Sequence, residues 1–281
     1  MISGQAKIAG VIGWPVAHSL SPRLHGFWLD HHGVDGAYIP IPVSPDHIEV
    51  GIASLPKLGF RGANVTVPHK IAAFNVADEL SPAAAAIGAV NTLVCRDDGS
   101  IFGDNTDGYG FIANLKAGAP DWNPLAAPAL VLGAGGAARA VVWSLIDAGV
   151  PSVRIANRTA EKADVIANDL DGMITVVPWA DRGDVVTGVG LIVNTTSLGM
   201  TGKPALEMNL DRAAPSTLVT DIVYAPLETP LLRDAAGHGC QVVDGLGMLL
   251  HQAVPGFAAW FGVRPDVTPE LRAHVLQGMA S

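Results

Sequence analysis

The chain has 281 residues, 49% of them hydrophobic and 15% charged, with a formal net charge of −9. That length and apolar content suffice for about two domains with cores of their own, and the acidic balance argues against a nucleic-acid surface. Cys95 and Cys240 are the two cysteines. With no Cys-x-x-Cys or Cys/His cluster, no metal site is expected, and a reducing, cytoplasmic setting is. No basic segment precedes an apolar one at the N-terminus, and the apolar stretch 8–16 is broken by Gly10, Gly13 and Pro15. Neither a signal peptide nor a membrane span is expected.

Residues 7–12 read as a strand and 13–20 as a loop. A helix follows to about residue 32, with Ser21 as its cap, Pro22 at its first position and Gly33 as its stop. A strand at 37–41, a helix at 46–58 and a strand at 62–67, ended by Pro68, continue an alternation that implies a mostly parallel α/β sheet. Residues 92–96 and 100–103 flank Asp97-Asp98-Gly99 and read as a hairpin added antiparallel at one edge. A helix at 107–116 leads into the breaker-rich stretch 118–124, which marks a domain boundary.

The apolar run 129–132 opens the second half. Gly133-Ala134-Gly135-Gly136-Ala137-Ala138 follows, then a helical pattern over 137–148 stopped by Gly149. Strand, glycine turn and helix together turn a glycine pattern into a dinucleotide site. Gly133 permits the tight turn, Gly135 lets the backbone approach a pyrophosphate, and Ala138 keeps the helix close to the strand. The helix N-terminus presents unpaired N–H groups to phosphate. Strands at 152–156, 173–177, 191–194, 218–221 and 241–243, with a helix at 159–169, complete a doubly wound sheet. After Gly247 the chain turns apolar and helical over 248–261, and a last helix follows Pro269. This pair can pack back on the first domain, which makes that domain discontinuous in sequence.

Asn157-Arg158-Thr159 ends the second strand of the doubly wound half. NAD-binding versions place an acid there for the ribose hydroxyl, whereas this chain has Arg158, with Lys162 one turn on, which favours the 2′-phosphate of NADP. Thr159 is placed to cap the next helix and to donate to phosphate. In the first half, Lys70 emerges after Pro68 at the carboxyl edge of the sheet, where ligands of such sheets bind; a loop lysine on its own is more commonly just solvated. Asp107 follows Asp104-Asn105-Thr106 at a helix start, where cap and chemistry are compatible duties. Ser19 and Ser21 flank Leu20 beside His18. Alternate residues of an extended loop point the same way, so both hydroxyls can face one ligand carboxylate, although serines before a helix are usually caps. Asn91 adds an amide able to bond a hydroxyl. His18 next to Ser19 shows no triad pattern, which disfavours a hydrolase.

Taken together, these segments resemble the shikimate dehydrogenase family. The matching pieces in the first half are 13–22 (Gly-Trp-Pro-Val-Ala-His-Ser-Leu-Ser-Pro), 64–70, 88–92 and 104–108. In the second half they are 133–139, 157–159, 194–200, 221–224 and 244–253, all in family order. Gly26 after His25 departs from the family's usual amide, and the Ala-rich spacer 81–86 lacks an acid found in some relatives.

The resemblance implies a two-domain α/β enzyme. Its substrate-binding domain would be residues 1–108 completed by 248–281, its Rossmann NADP domain residues 109–247, with a cleft between them. The implied reaction is reversible NADPH-dependent reduction of 3-dehydroshikimate to shikimate, on the way to chorismate and the aromatic amino acids. Lys70 and Asp107 would be the catalytic pair. Ser19 and Ser21 would hold the substrate carboxylate, with Tyr224 near that end; Thr66, Asn91, Asp107 and Gln252 would bond ring hydroxyls. Gly133, Ala134, Gly135, Gly136 and Ala137 would cradle the cofactor's pyrophosphate, Asn157, Arg158, Thr159 and Lys162 its 2′-phosphate end, and Val223, Gly245 and Met248 the remainder, the last two at the nicotinamide. Such a protein would act as a monomer or homodimer, without nucleic-acid, membrane or metal partners. The alternatives are a quinate/shikimate dehydrogenase using NAD, a non-catalytic shikimate- and NADP-binding regulator, and, for the cofactor half alone, a glutamyl-tRNA reductase.

Overall fold

The computed structural model describes residues 2–279. Residue 1 of the expected segment 1–108, and residues 280 and 281 of the expected segment 248–281, lie outside the described residues. The chain forms two compact units: Asp107–Leu249 is one, and the residues up to Thr106 join those from Leu250 onward in the other.

In the first unit β1 (Lys7–Gly13), mostly small and apolar and buried from Ala9 on, lies one strand in from the sheet's edge. It pairs in parallel with β2 (Gly36–Pro42) on one side and β3 (Phe60–Val65) on the other. β4 (Glu79–Leu80), β5 (Thr92–Cys95) and β6 (Ile101–Asp104) complete a sheet of order β2-β1-β3-β5-β6-β4. The expected hairpin β5–β6 is antiparallel, but β4 pairs beyond it, so the hairpin is not the edge.

The helices depart from expectation in two places. α1 spans Ser21–His31, with Leu20 rather than Ser21 at the cap position. Capping falls to Ser19, whose hydroxyl accepts the Ser21 N–H at 3.3 Å. The expected helix 46–58 breaks into a 3₁₀ turn Pro45–His47, α2 (Ile48–Ser54) and a second 3₁₀ turn Pro56–Leu58. Pro56 has no N–H for the Ile52 carbonyl, and its ring crowds that oxygen. Two helices were not foreseen: α3 (Lys70–Val76), and α4 (Pro82–Ile87), which the Ser81 hydroxyl caps by accepting the Ala84 N–H at 3.0 Å.

The second unit opens with α5 (Asp107–Gly118), then β7 (Ala129–Leu132), α6 (Gly136–Asp147), β8 (Val153–Asn157) and α7 (Ala160–Asp169). β9 (Ile174–Pro178), β10 (Leu191–Asn194), β11 (Leu218–Asp221), α8 (Pro230–Gly237) and β12 (Gln241–Val243) follow. The strand order is β12-β11-β10-β7-β8-β9 with every neighbouring pair parallel. This is the doubly wound sheet expected, and its order reverses between β7 and β10, where such sheets bind ligands at their carboxyl ends. The strands are near-continuous apolar runs because both faces are covered; Leu130, Leu132, Ile192 and Val219 are fully buried.

α9 (Leu246–Phe261) begins in the second unit and ends in the first, and α10 (Pro269–Gln277) stays with the first. There the C-terminal segment is tied down by three buried or part-buried polar bonds. The Trp260 indole N–H donates to the Leu93 carbonyl at 2.9 Å, the Trp28 indole to the Asp266 carbonyl at 3.0 Å, and the Lys7 ammonium to the Phe261 carbonyl at 3.0 Å. Gly62 makes the first of these possible. It follows a register shift between β1 and β3 and sits at φ +149°. A Cβ there would strike both the Leu93 carbonyl and the Trp260 indole. Gly62→Ala is expected to cost more than about 3 kcal/mol, by backbone strain together with the lost seat of Trp260. Urea unfolding monitored by tryptophan fluorescence measures it, and a cost under about 1 kcal/mol would show that α9 docks without this contact.

Candidate active site

In the first unit the carboxyl end of β3 is joined by backbone bonds to the carboxyl end of parallel β1 and to the amino end of antiparallel β5. Thr66 N–H donates to the Ile12 carbonyl at 2.9 Å, and Val65 N–H to the Asn91 carbonyl at 2.7 Å. The Thr66 methyl lies where a side chain at Gly13 would project, so the loop bearing Ser19 leaves the sheet beside Thr66. Lys70 is the first residue of α3, and its carbonyl accepts the Val90 N–H at 2.9 Å. The half-buried lysine is thereby tied next to Asn91.

Asn91, only 2% exposed, is the hub. Its Oδ1 accepts from the Thr106 N–H at 2.8 Å and from the hydroxyls of Thr92 at 3.0 Å and Thr106 at 3.2 Å. Its Nδ2 donates toward Gln252 Oε1 at 3.5 Å. The sequence-derived residues Thr66, Lys70, Asn91 and Gln252 therefore gather at one sheet edge, with Ser19 and Ser21 on the loop and helix that follow β1. Asp107 is the next residue after Thr106, at the start of α5.

Beneath this edge lie polar residues to which sequence reasoning gave no role. Asn64, within β3, accepts the Tyr38 hydroxyl at 2.6 Å on Oδ1 and donates from Nδ2 to the Asn91 carbonyl at 3.3 Å and to Thr92 Oγ1 at 3.2 Å. Burial pushes the Tyr38 phenol well above its ordinary pKa, opposed by its bond with Ser21. The His25 ring stacks on Tyr38 with centroids 3.9 Å apart and planes at 9°. His25 is fully buried, and neither ring nitrogen meets hydrogen-bond geometry. Burial drives its pKa down to about 3, against a smaller upward pull from Asn64. The available signal was compositional: an asparagine inside a buried apolar strand and a histidine on the apolar face of a helix both require partners.

In the second unit Gly133 sits at φ +115° between β7 and α6, its N–H on the Ala156 carbonyl at 2.8 Å. A Cβ there would meet Thr195, whose hydroxyl donates to the Leu132 carbonyl at 2.7 Å. Gly135 and Gly136 have a different reason to be glycine. Nothing in the protein lies within 4 Å of a Cβ built on either. No internal packing requires them small, and they flank the N-terminus of α6, where backbone must come close to phosphate. Ala138 is fully buried, as helix–strand packing requires. Arg158, Thr159 and Lys162 are exposed around the end of β8, and the strand itself ends in Asn157 and not in an acid. Thr159 holds the cap position of α7 without a side-chain cap bond, while Asn157 Nδ2 donates to the Thr159 carbonyl at 2.7 Å. Glycine loop, helix N-terminus and exposed cations fit a dinucleotide carrying an extra phosphate.

The far side of the same sheet edge is built on Asp221, buried at the end of β11. Its carboxylate accepts from Asn194 Nδ2 at 3.0 Å, the Val223 N–H at 2.9 Å and the Thr229 hydroxyl at 2.8 Å. Burial raises its pKa against these three donors. Gly245 packs so closely on this turn that a Cβ would strike the Asp221 carbonyl and Ile222. Val223, Tyr224, Gly245 and Met248 thus belong to adjoining segments of the second unit.

Three family descriptions match the chain: Shikimate dehydrogenase substrate binding domain over residues 11–93, Shikimate / quinate 5-dehydrogenase over 122–223, and Shikimate 5′-dehydrogenase C-terminal domain over 245–269. A shikimate dehydrogenase (NADP(+)) of Paramagnetospirillum magneticum is 58% identical across 98% of this chain and 100% of its own. The structure of shikimate 5-dehydrogenase from Thermus thermophilus in complex with NADP(H) and shikimate is 37% identical, covers 97% of this chain and 99% of its own, and superposes with a TM-score of 0.85. Quinate dehydrogenase from Corynebacterium glutamicum in complex with NAD is 31% identical, with coverage of 97% and 99% and a TM-score of 0.88.

The buried imidazole of His25 has a measurable consequence. Its pKa is about 3 in the folded protein against 6.5 for the ordinary side chain. A base whose folded pKa is depressed stabilises the fold fully above its unfolded pKa, and that contribution is lost as pH falls toward the folded value. Between pH 6.5 and 5 the loss approaches about 2 kcal/mol. Replacing His25 by Phe, which retains the stacking, is expected to flatten the acid limb of stability by about that amount. Urea titrations at pH 7 and pH 5 measure the difference; equal slopes in both proteins would mean that another group carries the acid sensitivity.

Proposed function

This chain belongs to the shikimate dehydrogenase family, and we propose that the residues gathered at its two sheet edges divide its work, substrate on the first unit and NADP on the second. The activity is that of an NADP-dependent oxidoreductase, the reversible reduction of 3-dehydroshikimate to shikimate in aromatic amino-acid biosynthesis. The observation that carries the division of labour is the Asn91 hub, where a buried amide turns its NH₂ toward Gln252 on the edge from which Thr66 and Lys70 emerge. No helix among the described residues is long and apolar enough to cross a membrane. The acidic charge and the two buried free cysteines support a cytoplasmic protein without a nucleic-acid partner.

Bound NADPH supplies the hydride. Everything else falls to the chain. Ser19 and Ser21 hold the ring carboxylate, with Tyr224 at the same end; Thr66, Asn91 and Gln252 fix the ring hydroxyls. As the carbonyl carbon is reduced, negative charge grows on its oxygen. The Lys70 ammonium stabilises that charge and delivers the proton, and Asp107 orients the lysine and bonds a neighbouring hydroxyl. In the reverse direction Lys70 receives the hydroxyl proton. The glycine loop and the α6 N-terminus take the pyrophosphate, Arg158, Thr159 and Lys162 the 2′-phosphate with Asn157 shaping their turn, and Val223, Gly245 and Met248 the nicotinamide side.

Absorbance at the NADPH band, with shikimate or quinate paired with NADP⁺ or NAD⁺, tests the assignment. Turnover is expected with shikimate and NADP⁺, and preference for quinate with NAD⁺ would overturn it. Lys70→Ala is expected to lower kcat by about a thousandfold while shifting the KM for shikimate little; an equal loss in both would reduce Lys70 to a binding role. Arg158→Ser is expected to raise the KM for NADP⁺ at least about tenfold and leave that for NAD⁺ unchanged, because only NADP⁺ carries the phosphate that pairs with the guanidinium.

A further inference from the structure

We propose that Asn114 is a positioning residue for hydride transfer: from α5, the helix that begins with Asp107, it grips the backbone at Asp244 and Gly247 and so sets where Gly245 and Met248 meet the nicotinamide. The inference rests on the cofactor and catalytic roles proposed above and adds to them a residue two turns into α5.

Asn114 is 8% exposed, on the buried face of α5 that also carries Phe111 and Leu115. A carboxamide enclosed there needs partners. Its Nδ2 donates to the Asp244 carbonyl at 2.7 Å. A carbonyl only accepts, so the amide stands one way round, with its oxygen turned to Gly247. Gly247 fits against that end so closely that a Cβ would strike both Oδ1 and Cγ. One side chain thus holds the segment twice, by a bond at Asp244 and by contact at Gly247. Other groups of the same unit clamp what lies between and before. The Thr220 hydroxyl donates to the Val243 carbonyl at 2.8 Å, and the Asp244 carboxylate accepts the Leu246 N–H at 3.0 Å. Gly245 rests on the backbone of Asp221 and Ile222.

What Asn114 adds is a link to the helix that bears Asp107. It lies seven residues after Asp107, just under two turns and about 10 Å along the axis, so both side chains leave the same side of α5. The helix is itself locked in place. Gly108 packs on α6, where a Cβ would crowd Ser144 and the Ala140 carbonyl, and Gly118 packs on Val243. The carboxylate proposed to orient Lys70 and the segment proposed to face the nicotinamide therefore share one rigid helix within one unit. A shift of about 1 Å at a reacting centre can cost about a hundredfold in rate, which makes the bond at Asp244 a matter of turnover as well as of folding.

Asn114→Leu keeps the branched shape and removes both polar ends. In the full-length protein it is expected to weaken NADPH about three- to tenfold, read by titrating the cofactor's fluorescence, and to lower kcat about ten- to a hundredfold. Adenosine 2′,5′-bisphosphate has the adenosine-end phosphates and no nicotinamide. Its affinity by calorimetry, like the KM for shikimate, is expected to stay within about twofold. Gly247→Ala pushes the amide off Asp244 and is expected to reproduce the loss. Added to Asn114→Ala, which leaves room for the new methyl, it is expected to have little further effect. Equal weakening of NADPH and the bisphosphate would mean a general loosening of the unit, and simple additivity of the two substitutions would mean that they act apart; either overturns the proposal. A wild-type protein that neither binds NADPH nor oxidises shikimate strikes the functional reading together with the proposal. Wild-type turnover with NADPH affinity and kcat unaltered in Asn114→Leu strikes the proposal alone.

Discussion

The first unit's binding edge depends on one buried acceptor, the side-chain oxygen of Asn91. It takes the backbone N–H of Thr106, the residue immediately before Asp107. The next backbone group upstream, the Val90 N–H, holds the carbonyl of Lys70. The segments of the two side chains proposed for the chemistry are therefore each tied by a bond made within one residue of the same asparagine. A buried donor left without its acceptor costs about 1–3 kcal/mol, several times what a satisfied bond adds. That asymmetry helps to hold the segments that carry Lys70 and Asp107.

The second unit solves the same problem with a charge. Asp221 ties together the turn after β11, the end of β10 and the start of α8 through Val223, Asn194 and Thr229. The donors reach both oxygens, Asn194 and Val223 on Oδ1 and Thr229 on Oδ2, and an amide would turn its NH₂ to one side of them, so a carboxylate is the better hub despite its burial. Asn194 repeats the device one strand over, its oxygen accepting the N–H and hydroxyl of Thr196 at 3.0 and 2.8 Å. The loops after β10 and β11 differ in sequence and length, yet each is anchored by a polar residue at the last position of a buried strand. That is where a side chain can leave the apolar layer and still be enclosed.

The second unit was the more legible half of the chain. β7, β10, β11 and β12 fall on the residues expected, because an all-parallel sheet covered on both faces makes each strand an unbroken apolar run with glycine or polar ends. The first unit was harder. Its helix 46–58 is broken at Pro56, and α3 and α4 did not stand out, since seven or six residues give too few turns for a periodic face. The pattern of candidate site residues was visible because glycine, serine, lysine and asparagine at strand ends are unusual enough to notice. The supporting layer was not: Tyr38 reads as an ordinary strand aromatic, and Asn64 acquires meaning only when Asn91, distant in sequence, is placed beside it. Register between β3 and β5 decides that, and register is a property of the folded sheet.

The two halves also divide polarity according to the charge of what each is proposed to hold. The floor of the first unit contains neutral amides and hydroxyls, with His25 kept uncharged by burial. Such groups can be enclosed at modest cost when every bond is made, and they suit ring hydroxyls, which are neutral themselves. Arg158 and Lys162, meant for phosphate, stay exposed at the end of β8, where their charge carries no desolvation penalty until a ligand arrives. Lys70 lies between these extremes, half-buried beside the amide network. The role of proton donor proposed for it needs that compromise. Full exposure would let water screen the charge it must exert on the developing alkoxide, and full burial would cost it the proton it has to give.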